Sequence, residues 1–146
     1  MLGLEQHCFL ELLRVADSLV QDAEAILKPY GLSHTQYNVL RILRGAGPTG
    51  LACGGIGERM LTHDPDITRL LDRLESRGFI KRERELEDRR VVKTRITDAG
   101  LRLLEELDAP VSELHQKQLG HLDSAQLQEL KNLLSLMRTQ NCPTKG

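Results

Sequence analysis

The sequence has few aromatic residues and few cysteines, and it lacks the long apolar runs of membrane proteins. Phe, Trp and Tyr make up 3% of the 146 residues, so any apolar pocket would be lined mainly by leucine. The three cysteines are odd in number and far apart, which favours reduced thiols over a disulfide framework. No apolar run is long enough to span a bilayer, and the N-terminus shows no signal-peptide pattern. These absences predict a cytoplasmic protein that does not enter the membrane.

Motifs of catalysis and metal binding are also missing. The histidines and cysteines show neither C-x-x-C nor H-x-x-x-H spacing, so the sequence predicts no metal site. We find no phosphate-cradling loop, no nucleophile elbow and no pair of catalytic carboxylates. The stretch GLACGGIG at 50–57 is rich in glycine, but it opens no βαβ unit and is not a dinucleotide-binding motif. We therefore expect no enzymatic activity and no cofactor.

The charges are distributed unevenly along the chain. The net charge is −1, which by itself argues against binding to nucleic acid. Between Arg69 and Arg95, however, there are ten Lys or Arg against six Asp or Glu, whereas the remaining chain has ten against fifteen. A cationic segment on an acidic body can approach phosphate while the rest of the molecule repels it. A solvated surface rich in salt bridges would show the same charges, so charge alone does not decide.

The cationic segment lies within residues 62–96, which predict a short helix followed by a hairpin. Asp64 or Thr62 is a candidate helix cap, Pro65 suits the first turn, and Gly78 suits a left-handed stop. Apolar residues recur at helical spacing and can face a core, while arginines follow another flank. The apolar residues are Ile67, Leu70, Leu71 and Leu74, and the arginines are Arg69, Arg73 and Arg77.

The hairpin pairs residues 79–84 with residues 91–96. Its strands alternate in polarity, so one face can pack and the other can remain wet. The charged tip would project Asp88, Arg89 and Arg90 away from the body of the protein. A cationic helix beside a cationic hairpin is typical of a winged-helix DNA-binding domain.

The preceding elements complete the winged-helix order. A long amphipathic helix covers 4–28, and a capping box of Ser33 and Gln36 opens the next helix. A short strand at 51–53 and a brief helix at 56–60 follow. The sequence therefore predicts a mainly α fold with a small β wing.

Long helices with apolar stripes lie at both ends of the chain. Thr97 caps one of them, in which Pro110 is expected to cause a kink or break, and Asp123 or Ser124 starts the last. One chain has too little surface to cover these stripes unless they fold back on its core, so we expect a two-fold homodimer. Two reading heads could then enter successive major grooves about 34–36 Å apart and recognise a palindrome. The residues expected at the dimer interface are Leu4, Cys8, Leu12, Leu119, Leu127, Leu130, Leu134 and Met137.

In combination, several stretches resemble the MarR family of bacterial transcriptional regulators. They are LSHTQYNVLRIL, IGERM, DITRLLDRLESRGFIKRE, EDRRVVKTRIT and DAGLRLL. The resemblance implies a single domain over 1–146, with a winged helix-turn-helix region at 33–100 and dimerisation helices at 1–30 and 105–140. It also implies an obligate homodimer that binds a palindromic operator in double-stranded DNA, usually as a repressor.

The resemblance also assigns roles to individual residues. Arg89 would enter the minor groove and Asp88 would hold the wing conformation. Thr68 and Arg69 of the recognition helix would contact base edges or phosphates. Asp66 either caps this helix or accepts from a cytosine amino group, and capping is the favoured role. The other candidate DNA contacts are Thr62, Arg73, Arg77, Arg84 and Arg90, with Ser33, His34 and Thr35 donating backbone amides to phosphate.

Members of this family often respond to a small effector or to oxidation. Phenolic or lipophilic effectors would bind between the dimerisation helices and the reading head, where Phe9, Tyr30 and Tyr37 are candidate lining residues unless they are plain core. Cys8 stands near the reactive cysteine of peroxide-sensing members, but the activating tyrosines are missing, so we expect a buried, inert thiol. A winged-helix module that binds an acidic protein partner is the alternative from another functional class.

Overall fold

Residues 1–142, the part of the chain that the computed structural model describes, form six α-helices and a three-stranded antiparallel sheet. The predicted mainly α fold with a small β wing is confirmed. In chain order the elements are α1 (Leu4–Leu27), α2 (His34–Ala46), β1 (Leu51–Ala52), α3 (Cys53–Arg59), α4 (Ile67–Ser76), β2 (Ile80–Arg84), β3 (Val92–Ile96), α5 (Asp98–Leu119) and α6 (Ser124–Asn141).

The sheet has the strand order β1-β3-β2, and the β2–β3 hairpin forms the wing (residues 80–96). Ile80 pairs with Ile96 at the base of the hairpin, and Arg84 pairs with Val92 towards the tip. At the base, Gly78 adopts a left-handed backbone with φ of 80°, which glycine reaches without steric cost. This turn lets the chain pass directly from α4 into the wing, as the sequence predicted.

The hydrophobic core holds α4 by the stripe that the sequence predicted. Leu71 and Leu74 are fully buried in this core, while Ile67 and Leu70 are half-buried against it. Burial of one leucine side chain stabilises the fold by about 1.5–3 kcal/mol. The opposite face of α4 is therefore left to solvent. The other buried core residues are Leu27, Leu32, Tyr37, Val39, Leu40, Leu43, Ile56, Ile80, Leu104, Leu107 and Val111.

Backbone packing divides the chain into two compact units. The first covers residues 1–111 and contains the core, the sheet and α1 to α4. The second begins at residue 112, and its described part contains the end of α5 and all of α6. Among residues 1–142, no helix combines the length and apolarity needed to cross a bilayer.

Helix α4 begins later than the sequence predicted. The Asp66 amide donates to Oδ1 of Asp64 (2.8 Å), and the Asp66 carboxylate in turn accepts from the Arg69 amide (3.1 Å). Aspartate favours such local turns over helix interior positions. Pro65 therefore lies in the turn before the helix rather than in its first turn, and Thr62 does not cap it.

Helices α3 and α5 also differ from expectation. Cys53 is the first residue of α3 and not the end of the strand. Helix α5 runs without a break through Pro110, where an interruption was one of the two expected outcomes. Proline costs one backbone hydrogen bond inside a helix, but Leu107 and Val111, on either side of it, are both buried in the core. Their burial holds the helix together across the proline.

Candidate nucleic-acid interface

Helix α4 presents an exposed cationic face. Thr68, Arg69 and Arg73 are all exposed, and within residues 1–142 neither arginine forms an ion pair. The hydrogen bond from the Arg69 amide to Asp66 shows that this aspartate caps the helix, as the sequence favoured. Because the cap holds the Asp66 carboxylate at the helix start, the two guanidinium groups are left available to an anion.

The wing tip is a hydrogen-bonded turn built around Asp88. Its Oδ1 accepts from the backbone amide and from Nε of Arg90, both at 3.1 Å, and the Asp88 carbonyl accepts from the Val91 amide. The guanidinium of Arg90 lowers the pKa of the Asp88 carboxyl. Arg84 donates to the carbonyl of Arg89 (2.8 Å). The backbone of Arg89 is therefore held in place, while its side chain is exposed.

Arg77 has a structural position, which corrects its predicted DNA contact. It follows the last residue of α4, and its guanidinium donates to the carbonyls of Gly31 (2.7 Å) and Tyr30 (2.8 Å). The same group lies 4.8 Å from the ring centre of Phe79, within the range of a cation–π contact. Arg77 therefore fastens the end of α4 to the loop between α1 and α2, and we remove it from the candidate DNA contacts.

The start of α2 is less available to phosphate than predicted. The predicted capping box is present: Ser33 accepts from the Gln36 amide, and the Ser33 amide donates to the Gln36 side chain. The His34 amide donates to Oε1 of Glu24 on α1 (3.1 Å). The backbone amides of Ser33 and His34 are thus already used inside the chain. Of the three predicted amide donors, Thr35 alone keeps its assignment.

A cleft of about 840 Å³ opens beside α4, between the end of α1 and the start of α2. Three acidic and three basic residues line it: Glu24, Asp64, Asp66, Lys28, Arg69 and Arg73. The aromatic residues predicted to line a pocket do not lie there. Tyr37 is buried in the core, Tyr30 packs against the core, and Phe9 is 60% exposed on α1. Tyr37 and Tyr30 therefore match the alternative of plain core residues, and the effector pocket stays a prediction.

Comparisons with known proteins agree with this geometry. The MarR family model matches residues 32–92, from the start of α2 to the wing. A MarR transcription factor from Planctomyces limnophilus is 45% identical, with a TM-score of 0.72, over 93% of this chain and 98% of that one. The HTH-type transcriptional regulator PrsX of Escherichia coli is 30% identical over 88% of this chain and 79% of PrsX. The HTH-type transcriptional repressor IacR of Pseudomonas putida is 29% identical over 91% of this chain and 78% of IacR.

The chain belongs to the MarR family. It is a helix-turn-helix transcriptional regulator. We call α4 the recognition helix, after the role that the family resemblance predicts for it.

In this MarR-family chain, the residues predicted at a dimer interface lie on largely uncovered apolar faces. On α1, Leu4 is 76% exposed, Cys8 is exposed and Leu12 is half-buried. In the second unit, a groove of about 360 Å³ is lined by leucines of the predicted set. These leucines are Leu119, Leu127, Leu130 and Leu134, and Met137 of the same set is exposed on α6.

Cys8 is more exposed in the single chain than the sequence predicted. Cys8 was expected to be a buried hydrophobe, but Cys8, Cys53 and Cys142 are all free and exposed in the single chain. Cys8 lies in the half of α1 that packs little against its own core. The exposure therefore follows from the uncovered face of the helix.

Sequence reasoning missed the arginine that joins the wing to the recognition helix. Arg82 lies on the same strand face as Ile80, two residues earlier, which packs into the core. A cation on a packing face requires an acidic partner. Arg82 finds two on α4, Asp72 and Glu75. The alternation of polarity along β2 could have indicated that Arg82 lies on the packing face. It did not show which acidic residues pair with Arg82.

Proposed function

We propose that this regulator is a homodimeric repressor that binds a palindromic operator and is released by a small-molecule effector. The observation that carries the proposal is a set of three exposed arginines on α4 and the wing, Arg69, Arg73 and Arg89, whose side chains form neither an ion pair nor a hydrogen bond within residues 1–142. The first two lie on the solvent face of α4 and the third at the tip of the wing. These are the two elements with which a winged helix contacts a duplex.

The recognition helix enters the major groove in this proposal. Its N-terminal residues Thr68 and Arg69 reach base edges, where arginine can donate two hydrogen bonds to guanine. Arg73, one turn later, meets phosphate or a second base. Arg89 inserts into the adjacent minor groove, whose narrow A·T-rich form attracts a guanidinium. Arg84, Asp88 and Arg90 maintain the turn that aims Arg89.

The homodimer is supported by the apolar surface that one chain leaves uncovered. The exposed side chains on α1 include Leu4, Phe9 and Leu13, and those on α6 include Leu133 and Leu136. A large exposed apolar surface marks an interface. In a two-fold dimer the helices α1 and α6 of one copy would cover those of the other, with the α6 groove receiving a partner side chain.

The direction of regulation follows from where such a dimer would bind. Occupation of an operator that overlaps a promoter blocks polymerase, and the similar protein IacR is named a transcriptional repressor. Access to chromosomal operators places the protein in the cytoplasm.

The effector binds in the cleft beside α4 in this proposal. Arg69 and Arg73 line that cleft and also belong to the DNA-binding face. A phenol or aromatic acid bound there would engage the arginines that DNA needs. Titration of a panel of such compounds into the protein–operator complex should reveal at least one that releases DNA. If every compound in the panel leaves the complex intact, the effector part of the proposal fails.

Selection of bound sequences from a random duplex pool tests the DNA-binding proposal. An inverted repeat should be enriched, with half-sites centred about 10 base pairs apart, because the dimer's heads are related by a two-fold axis. Enrichment of a single unrepeated site would contradict the dimer, and no enrichment over the starting pool would contradict sequence-specific binding.

The interface is tested with Leu130→Glu combined with Leu134→Glu. Two carboxylates in the α6 groove should convert the dimer into monomers and abolish operator binding, since charges at an apolar interface lose their hydration. A matched control is Gln128→Glu with Asn132→Glu, which adds the same charges at the same spacing to exposed positions of α6. The control should remain dimeric by light scattering, whereas an intact dimer in the first variant would exclude this interface.

A further inference from the structure

The recognition helix carries as many carboxylates as arginines. Within Ile67–Ser76, Arg69 and Arg73 are balanced by Asp72 and Glu75, so α4 has no net charge of its own. Asp72 lies three residues after Arg69, at a spacing that allows an ion pair within the helix. Left alone, Asp72 could compete with DNA for Arg69, and both carboxylates would repel phosphate.

Arg82 of the wing holds both carboxylates. Its guanidinium donates to Oδ1 of Asp72 and, through Nε (3.1 Å) and Nη2 (2.9 Å), to Oε1 of Glu75. The Arg82 backbone amide donates to the other oxygen of Glu75 at 2.8 Å. The hydrogen bonds from Arg82 lower the pKa of Glu75, and those to Glu75 raise the pKa of Arg82. Three charged groups thus form one network between α4 and β2.

The side chains of this network differ in their exposure. The Arg82 side chain is only 22% exposed, whereas the Asp72 side chain is 58% exposed. Arg82 is therefore poorly placed to reach a phosphate itself, while Asp72 lies at the surface that DNA would approach. Within the described residues, Arg69 and Arg73 form no ion pair. The network holds Asp72, the carboxylate that stands at ion-pair spacing from Arg69.

We infer that Arg82 is a positioning residue for DNA binding: it holds Asp72 and Glu75 against β2, so that Asp72 does not pair with Arg69 and Arg69 stays free for the duplex. This inference rests on the proposed DNA-binding function. Arg82 does not touch the DNA; it acts by determining the partners of the two carboxylates. The same bonds also fasten the wing to the recognition helix. Arg82 therefore joins the two proposed DNA-contacting elements and also neutralises the carboxylates of Asp72 and Glu75.

A rescue experiment separates this role from a merely structural one. The variant Arg82→Gln should weaken operator binding about tenfold at low salt, because a released carboxylate in each protomer competes for an arginine. Adding Asp72→Asn and Glu75→Gln to the same chain removes the competing charges. The triple variant should then recover binding to within about threefold of wild type. Fluorescence anisotropy over a salt series measures both the affinity and its salt dependence.

Other outcomes would overturn the inference. If Arg82 itself contacted phosphate, the triple variant would stay weak and its salt dependence would stay reduced. If Arg82 acted only as a brace between wing and helix, the triple variant would bind as weakly as Arg82→Gln or more weakly, because amides do not replace the ion pairs. An unchanged affinity in Arg82→Gln would likewise contradict the inference.

Folding is monitored by the thermal midpoint and circular dichroism of each variant. If Arg82→Gln does not fold, Asp72→Asn with Glu75→Gln in the presence of Arg82 provides the test. That double variant should bind DNA at least as tightly as wild type, and a tenfold weaker binding would refute the inference. Failure of wild-type protein to bind any duplex would instead refute the proposed function, so the two failures are distinguishable.

Discussion

Replacing Arg89 with alanine removes one of the three arginines of α4 and the wing whose side chains have no partner within residues 1–142, without disturbing the turn that carries it. The turn is held by backbone groups and by the side chains of Arg84, Asp88 and Arg90, none of which the substitution alters. The exposed Arg89 side chain makes no ion pair within residues 1–142. The fold and the dimer should therefore be unaffected, and the loss should appear in DNA binding.

The size of the effect follows from the number of these guanidinium groups on α4 and the wing. Three in each protomer give six per dimer, which release about six counterions and give a slope of about −5.4 for the logarithm of the association constant against the logarithm of the salt concentration. Without Arg89 four remain, and the slope becomes about −3.6. Between 50 mM and 200 mM salt, wild type should lose affinity about 10³-fold and the variant only about 10²-fold.

Anisotropy titrations of one labelled operator at four or more salt concentrations measure both slopes. Arg102→Ala is the matched control, because it removes an exposed arginine from α5, outside the recognition helix and the wing. Its slope should equal that of wild type. An Arg89→Ala slope indistinguishable from wild type would refute the minor-groove role of the wing.

Two further predictions concern the stability of the domain. Gly100→Ala should destabilise it by about 1–3 kcal/mol, because the added Cβ would lie 2.5 Å from the Phe79 carbonyl oxygen. Gly45→Ala should stabilise it by about 0.5–1 kcal/mol, because its Cβ meets nothing within 4 Å. Urea denaturation measures both free energies of unfolding, and the opposite ranking would contradict the packing around Gly100. The hydrogen bonds from Arg44 to Asp108 (2.9 and 3.0 Å) lower the pKa of Asp108, so this pair stabilises the fold above the ordinary aspartate pKa and loses that effect as the pH falls through the lowered value. Asp108→Asn should therefore lower the free energy of unfolding by at most about 1 kcal/mol at neutral pH, since both groups are partly exposed. The difference from wild type should vanish in acid. A difference that persists in acid would exclude the charge of Asp108 as its cause.

The sequence predicted the fold closely because its periodicity and its turn residues agree. The stripe of Ile67, Leu70, Leu71 and Leu74 places α4 on the core, and Gly78 ends the helix at the predicted point. The beginning of α4 was placed too early because Asp64 and Asp66 look like helix-entry residues. The Asp64 side chain accepts a backbone hydrogen bond in the turn before the helix, and the Asp66 side chain caps the helix itself. Residue type alone does not show which of two nearby aspartates is the cap.

The sequence predicted a set of arginines for the candidate site, but it did not predict the partner of each arginine. Arg69, Arg73 and Arg77 follow one another at intervals of four residues, yet Arg77 binds two carbonyls of the loop between α1 and α2. That loop lies about 46 residues earlier in the chain, so no local pattern reports the contact. The Arg82 network escaped for the same reason, because its partners lie on a different element.

The three aromatic residues proposed for a pocket lie in environments that residue type alone did not decide. Tyr37 carries a large apolar ring on the inner face of α2 and is 6% exposed, as a core residue would be. Phe9 lies on the outer part of α1, where one chain has nothing to cover it. Residue type alone does not distinguish a ligand pocket from a core or from an interface with a second copy.

Sedimentation of the wild-type protein alone, and then with a short duplex carrying the selected inverted repeat, tests the central claim most directly. The chain has a mass of 16.4 kDa, so the free protein should sediment as a dimer of about 33 kDa. With duplex, a single complex should form that contains two chains and one DNA, and it should dissociate as salt is raised. A 16.4 kDa species that leaves the duplex unbound in low salt would contradict the account.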